Sequence, residues 1–409
     1  MRRITWALLL VFVFAIPWEY SLVLPAPFGN VARILGLLVL LAAIPAVLQA
    51  GRVRTPGPMQ WLVLAFYLWL CCTLLWTIDA HLTFATIRGY FEETMIVWLL
   101  WEFVESPRDL RALLLAWVAG SWVLALLNLA NFASPVAVAI THIRFAAAGQ
   151  DPNDVARFLD LGLPLAALLF TGETRWLPRL LALGYLPLGL FAVLLTASRE
   201  GFLAALVAVA GCAILLGRGH AKGLAVAVLA VPPAAAVLWA AIPRGTLARL
   251  ATIPAELQGG SLNQRLNIWS AGWVAFAKAP ILGTGAGSFA EAAHLAPIAT
   301  AHDTALSIAA GGGLVALFLA VGIVFLAAQS ALRARGALRL ALATALAVWA
   351  VGSLVATVEE NRITWLLLGA IALAGRFAAE EPDRLDACFP PQSNLRLTAA
   401  AGGLLLLPE

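Results

Sequence analysis

Apolar runs of about twenty residues recur along almost the whole chain, and they restrict the folds open to it more than any other feature. Of its 409 residues, 62% are hydrophobic and 12% are charged, whereas soluble domains carry about 25% charged residues. Because a bilayer core has no water to bond to the backbone, apolar runs cross it as helices. The sequence therefore predicts an all-α polytopic membrane protein.

With about twenty residues for each crossing, the sequence predicts about twelve transmembrane helices. The predicted spans are Ile4–Leu24, Val31–Ala50, Met59–Trp76, Thr83–Trp101, Ala112–Ala130, Asn153–Thr171, Leu180–Thr196, Gly201–Leu216, Gly223–Ile242, Thr304–Leu326, Leu340–Val355 and Ile363–Phe377. One transmembrane domain over residues 1–378 contains them. The tail over residues 379–409 is rich in proline and acidic residues at its start, which favours disorder.

Basic residues are concentrated in alternate loops, which predicts the orientation of the chain. One set of loops holds Arg52/Arg54, Arg108/Arg111, Arg175/Arg179, Arg218/Lys222 and Arg333/Arg335/Arg339. By the positive-inside rule these loops and both termini face the cytoplasm, and the large polar loop at residues 243–303 faces outward. Because the basic residues are spread over many loops and not gathered on one surface, they argue against a nucleic-acid partner, which requires a concentrated basic surface.

The outward loop contains a segment with helical periodicity. Its apolar residues Leu262, Leu266, Trp269, Trp273 and Phe276 recur at helical spacing. With Ser261 as an N-cap, this segment is predicted to lie along the membrane interface rather than to cross it. Arg265 then falls at the edge of the apolar stripe, at the depth of lipid phosphates.

A glycine-rich stretch, Pro280–Gly287, follows the interfacial segment and is predicted to turn the chain back to the membrane. Beyond it, Glu291 and His294 have a spacing that suits a metal, with His302 or Asp303 as further ligands. One such pair is a weak signal. We therefore predict no metal site and no cofactor.

Several charged residues lie at the outer ends of predicted spans, where a charge is costly unless it is paired or faces water. Arg199 lies in a very tight turn between two spans, and the alternative to an anion site is a contact with Glu200 or a lipid head group. Arg144 is an outward cation with no topological use. His302 precedes a span, where the helix dipole lowers its pKa and favours a neutral, proton-accepting ring. The alternative is a histidine that only caps the helix or forms a hydrogen bond. Arg362 begins the last span.

Six segments carry a resemblance to a known family. They are Arg144 with Gly149–Ala156, Thr196–Gly201, Arg265–Trp269, Pro280–Gly285, Ala301–Asp303 with Gly313, and Glu360–Trp365. In order and spacing, and with one large outer loop, they resemble the bacterial O-antigen ligase and polymerase superfamily over residues 144–377.

This resemblance implies an integral-membrane glycosyltransferase of the all-helical GT-C-like type in the bacterial inner membrane. The enzyme would transfer a glycan from undecaprenyl diphosphate to an acceptor sugar hydroxyl, such as one on lipid A–core or a growing glycan, at the periplasmic face. Arg199 and Arg265 would match the arginines that hold the diphosphate, and His302 the histidine near the acceptor. Where the family commonly has Asn after this histidine, the chain has Asp303.

The remaining site predictions are substrate contacts by Arg144, Asp303, Arg362 and Trp269. Because guanidiniums bind phosphate oxygens and remain charged, arginines can replace a divalent ion, and the predicted enzyme is metal-independent.

Three alternatives remain open from the sequence. A polymerase of O-antigen or exopolysaccharide repeats, or a protein O-glycosylating enzyme, needs the same donor. A proton-coupled transporter is the alternative from another class, because Arg88, Glu92 and Glu93 are charged residues inside a predicted span.

Overall fold

The computed structural model describes residues 1–25, 29–134, 143–172, 175–217, 240–260 and 264–390. Within these ranges the chain is almost entirely helical. Two short strands, β1 (Val23–Leu24) and β2 (Gly29–Asn30), pair antiparallel, with Val23 opposite Asn30. This composition of elements confirms the predicted all-α class.

The structure describes these helices, given in chain order. They are α1 Arg2–Ala15, α2 Val31–Ala50, α3 Pro58–Cys72, α4 Ala80–Phe103, α5 Pro107–Phe132, α6 Pro152–Gly172, α7 Trp176–Leu195, α8 Arg199–Gly217, α9 Arg244–Leu250, α10 Ile253–Gly259, α11 Arg265–Lys278, α12 Phe289–Ala292, α13 Thr304–Arg333, α14 Gly336–Ser353, α15 Arg362–Glu380 and α16 Pro382–Cys388. Short 3₁₀ segments follow α1 over Ile16–Ser21 and α3 over Thr73–Leu75.

Ten of the described helices are long and apolar enough to cross a membrane. They correspond to ten of the predicted spans. An eleventh predicted span is helix α4, which has 24 residues but is more charged than the ten. The remaining one, Gly223–Ile242, lies almost entirely outside the described residues.

Helices α6 and α15 form the centre of the bundle. In the most apolar 18-residue stretch of each helix, 78% of the residues of α6 and 83% of those of α15 are buried, compared with 22% of those of α2. Helix α6 packs against α5, α7, α8 and α14, whereas α15 packs against α4 and α13. Charged residues at the start of these two central helices are therefore held by several neighbours.

Helix α13 is broken at Gly313, whose φ of 70° and ψ of −172° are not helical. The break frees carbonyls that would otherwise bond within the helix. The Ala310 carbonyl accepts from Thr284 N at 2.9 Å, and the Gly311 carbonyl accepts from Gly285 N at 2.9 Å. Irregular backbone at membrane depth requires such partners, because lipid supplies none.

The glycine-rich stretch is thus a docking loop for the broken helix. Gly283, Gly285 and Gly287 all have positive φ, and a Cβ on Gly283 would lie 2.3 Å from the Gly311 carbonyl oxygen. Only glycine permits this approach. The loop returns the chain to the bundle, as the sequence predicts.

The start of the tail is ordered, contrary to the predicted disorder from residue 379. Helix α16 packs against α5 and α15, and Leu385 and Phe389 are buried. Arg111 also donates to the Cys388 carbonyl at 2.9 Å. Apolar burial against two helices therefore outweighs the local proline and acidic composition. Residues 391–409 lie outside the described part of the chain.

Candidate active site

A cavity of about 240 Å³ lies between the start of α8, the short helices α9 and α10, the start of α11 and the end of α14. Its polar wall holds four arginines and two glutamates, namely Arg144, Arg199, Arg249, Arg265, Glu200 and Glu256. Its apolar wall includes Leu203, Ile253, Val351, Leu354 and Val355. Four cations face two carboxylates, which leaves two positive charges in excess.

Arg199 reaches the cavity from the tight turn between α7 and α8. It forms an ion pair with Glu256 at 3.0 Å and donates to Thr252 Oγ1 at 2.7 Å. Both partners lie in the large loop. The alternative pair of Arg199 with Glu200 is absent from the ion pairs of the described residues.

Glu200 instead joins two other arginines. Its side chain is only 3% exposed and forms ion pairs with Arg157 and, at 2.9 Å, with Arg265. Arg157 also pairs with Asp154, one turn earlier in α6. Arg157 was not predicted from the sequence, and Glu200 was named only as a possible partner of Arg199. An arginine inside a predicted span was a signal that could have identified Arg157.

Arg144 and Arg249 are held on either side of the same turn. Arg144 donates to the Thr196 carbonyl at 3.2 Å and to Asn153 Oδ1 at 2.7 Å, while Arg249 donates to the Ala197 carbonyl at 3.1 Å. Burial and then the neighbouring Arg249 guanidinium lower the pKa of Arg144. Burial and then Arg199 lower the pKa of Arg249. Mutual repulsion of this kind favours binding of an anion between them.

Arg265 is the first residue of α11 and lies on the face of that helix that packs against the protein. That face continues through Ile268, Trp269 and Gly272 to Ala275, and it packs against α12 and α13. Leu266 and Trp273, from the predicted apolar stripe, are instead 49% and 59% exposed. The predicted apolar stripe is thus divided, since Trp269 packs against the protein whereas Leu266 and Trp273 are exposed. Ser261, the predicted N-cap, lies outside the described residues.

His302 lies beside the cavity without lining it. The residue is half-buried and has a positive φ of 48°. Burial and then the Arg265 charge lower the pKa of His302 below its usual 6.5. A neutral imidazole next to a guanidinium can accept a proton from a neighbouring hydroxyl.

Two predicted substrate contacts have structural partners. Asp303 Oδ1 accepts from Leu306 N at 2.7 Å and so caps α13. Trp269 Nε1 donates to the Ala301 and His302 carbonyls at 3.1 and 3.3 Å. These bonds fix the backbone on both sides of the His302 side chain.

Arg362 does not line this cavity. It forms ion pairs with Glu19 and, at 2.7 Å, with Glu92, which in turn pairs with Arg33 at 2.9 Å. Among the ion pairs of the described residues, Glu92 has Arg33 and Arg362 as partners and not Arg88 from its own helix. The structure thus separates Arg362 from Arg144, Arg199 and Arg265.

Glu291, His294, His302 and Asp303 do not assemble into a group of three metal ligands, and no other such group occurs among the described residues. The two carboxylates of the basic cavity, Glu200 and Glu256, form ion pairs with Arg265 and Arg199.

Residues 184–321 match a protein-family model described as O-Antigen ligase. A search of curated proteins found no match. The matched segment runs from α7 into α13 and contains Arg199, Arg249, Arg265 and His302. It lies within the predicted region 144–377.

The match indicates glycosyl transfer in glycan assembly, with a lipid-linked glycan donor and a glycan acceptor, by a multi-pass bacterial membrane protein. The match over residues 184–321 supports the O-antigen ligase superfamily predicted from the sequence.

Proposed function

We propose that the chain transfers a glycan from undecaprenyl diphosphate to a sugar hydroxyl of an acceptor at the periplasmic face, as an O-antigen ligase does. The observation that carries the proposal is the excess of two positive charges that the four arginines of the cavity have over its two glutamates. A diphosphate supplies the matching negative charge. Arginine suits it because the planar guanidinium binds two phosphate oxygens at once and stays protonated.

The cavity also suits the lipid part of such a donor. Its apolar wall includes Leu203 and Leu354, which are 37% and 65% exposed. An exposed apolar wall beside a basic one matches an amphiphile whose chain remains in the bilayer. The diphosphate would then meet the arginines while the prenyl chain stays in contact with lipid.

The reaction would proceed by attack of the acceptor oxygen on the anomeric carbon of the donor sugar. The new C–O bond forms as the bond to the diphosphate breaks, and the diphosphate leaves with the electron pair. Arg199 and Arg265 would stabilise the growing charge on that leaving group, an effect that is larger in the transition state than in the ground state. His302 would take the hydroxyl proton. No divalent ion is needed for this charge compensation.

The test is transfer by the purified protein in proteoliposomes that contain undecaprenyl-diphosphate glycan, with and without lipid A–core. We expect the glycan to appear on lipid A–core, and to do so in excess chelator. Lengthening of the lipid-linked glycan alone would identify a polymerase instead. Restoration of transfer only by divalent ions would contradict the metal-independent chemistry.

A matched set of variants tests the site itself. Arg199→Gln and Arg265→Gln remove one cation each, and Arg244→Gln removes an exposed arginine of α9 that does not line the cavity. We expect the first two to lose transfer while the third retains it. Equal activity in all three would refute the assignment of the cavity.

A further inference from the structure

A second cavity, of about 460 Å³, lies between α1, α2 and α4. It shares no lining residue with the basic cavity of the candidate active site. Four charged side chains line it, from three helices: Arg33, Arg88, Glu92 and Arg362. The proposed transfer reaction uses none of them.

Glu92 connects two of these arginines. Its carboxylate accepts from Arg362 at 2.7 Å and pairs with Arg33 at 2.9 Å. Glu19, which is only 1% exposed, pairs with Arg362 from the other side. Two carboxylates thus compensate two guanidiniums.

Arg88 carries the positive charge that these two carboxylates do not compensate. It lies one turn before Glu92 in α4, lines the cavity and is exposed. It forms no ion pair or hydrogen bond with any residue that the structure describes. A cation at this place, inside a predicted span, requires an anionic partner or water.

The other end of the cavity is apolar. Along α2 the lining continues from Arg33 to Leu37 and Leu40, and along α4 from Glu92 to Met95 and Leu99. Both helices therefore lead from charge to hydrocarbon in the same direction. The polar and apolar ends of the cavity are about two helical turns apart. They match the head group and the hydrocarbon chain of an amphiphile.

The cavity is also open to the lipid side of the bundle. Leu37 and Phe91, which line it, are 56% and 39% exposed, and α2 is the least buried of the ten apolar helices. A bilayer lipid can reach the cavity sideways through such an opening.

We propose that this cavity binds an anionic phospholipid with a phosphodiester head group. One uncompensated guanidinium matches the single negative charge of a phosphodiester better than the larger charge of a diphosphate. The phosphate contacts Arg88 and the outer edges of Arg33 and Arg362, and an acyl chain lies along Leu37, Leu40 and Leu99. This site is independent of the proposed glycosyl transfer.

Lipid retention by the purified full chain tests the proposal without any transfer assay. Native mass spectrometry would follow titration with phosphatidylglycerol and with phosphatidylethanolamine of the same acyl chains. We expect preferential retention of phosphatidylglycerol. Arg88→Gln should weaken it about tenfold, because one charge-assisted contact is lost. Leu40→Trp should also weaken it, by filling the apolar end without changing charge.

The control is Arg335→Gln, since Arg335 is 69% exposed and lies outside both cavities. Arg88→Gln removes no contact within the described residues, so it should fold as the wild type does. Equal retention of the two lipids, or equal loss in Arg88→Gln and Arg335→Gln, would overturn the proposal. Displacement of phosphatidylglycerol by undecaprenyl diphosphate that depends on Arg88 would also overturn the proposal. Glycerol phosphate that competes as well as the lipid does would overturn it too.

Discussion

Glu200 accepts a hydrogen bond from Arg265 at 2.9 Å, although 65 residues separate them in the chain. The contact ties the start of α11, in the large loop, to the start of α8. Because Glu200 also pairs with Arg157 of α6, one carboxylate connects the central bundle to the loop. The position of Arg265 at the cavity therefore depends on a residue that need not touch substrate.

Replacing Glu200 with Gln should destabilise the protein and displace Arg265. The side chain is 3% exposed, so the change leaves Arg265 without its charge partner and leaves Arg157 with Asp154 alone. Loss of one member of a buried pair costs about 3 kcal/mol or more. Reversible unfolding in mixed micelles measures this loss.

Glu256→Gln is the control for that prediction. Glu256 pairs with Arg199, and its side chain is 24% exposed. Because solvent screens this pair better, its removal should cost about 1 kcal/mol or less. A larger loss in Glu256→Gln than in Glu200→Gln would contradict the connecting role of Glu200.

Replacing Arg249 with Gln should lower the rate of glycan transfer by about 100-fold if the cavity holds the donor diphosphate, since one preorganised donor is lost. Arg249 was absent from the residues predicted by sequence, so this variant tests the geometry and not the motif. The initial rate with saturating acceptor is the measurement. Arg244→Gln, in the same helix but exposed, should transfer at the wild-type rate; a similar loss there would indicate a general effect of surface charge.

Gly313→Ala should prevent stable folding. A Cβ at this position would lie 2.1 Å from the Ile281 carbonyl oxygen, and the φ of 70° with ψ of −172° is a conformation that only glycine adopts readily. Detergent size-exclusion chromatography should show a much smaller monodisperse fraction than wild type. Gly89→Ala, where no atom lies within 4 Å of the added Cβ, should elute normally, and equal behaviour of the two variants would refute the close approach.

The fold class was predictable because each apolar run alone indicates a helix, whatever its neighbours. The composition of α2 or α13 needs no tertiary information to suggest a span. The charged helix α4 shows the limit of that signal, since Arg88, Glu92 and Glu93 lower its apolar character although it is a continuous helix.

The arrangement of the site was less predictable because it depends on contacts between distant parts of the chain. Arg199 and Arg265 were identified by sequence, and the structure brings both to one cavity. Arg362 was assigned to the same substrate, yet it pairs with Glu19, 343 residues away in sequence. Periodicity places a residue on a helix face but does not determine which other helix that face meets.

Asp303→Asn should preserve both the fold and the cap of α13. The amide oxygen of asparagine can accept from Leu306 N as the carboxylate does at 2.7 Å. Asp303→Ala removes the acceptor and should lower the free energy of unfolding by about 1 kcal/mol. If Asp303→Asn folds normally but loses transfer, the carboxylate contacts substrate; retained transfer would limit Asp303 to capping.

His302 should titrate below its ordinary pKa of 6.5, because burial and then the Arg265 charge disfavour the imidazolium. The unfolded chain then binds a proton more readily than the folded one, so this histidine reduces stability as the pH falls below 6.5 and has no such effect at higher pH. Diethyl pyrocarbonate reacts only with the neutral ring. The pH midpoint of His302 modification, followed by peptide mass spectrometry, should therefore be lower in folded than in unfolded protein. Arg265→Gln should raise the pH midpoint of modification in the folded protein, since the Arg265 charge is removed while the burial of His302 remains. A folded midpoint at or above the unfolded one would contradict a lowered pKa of His302.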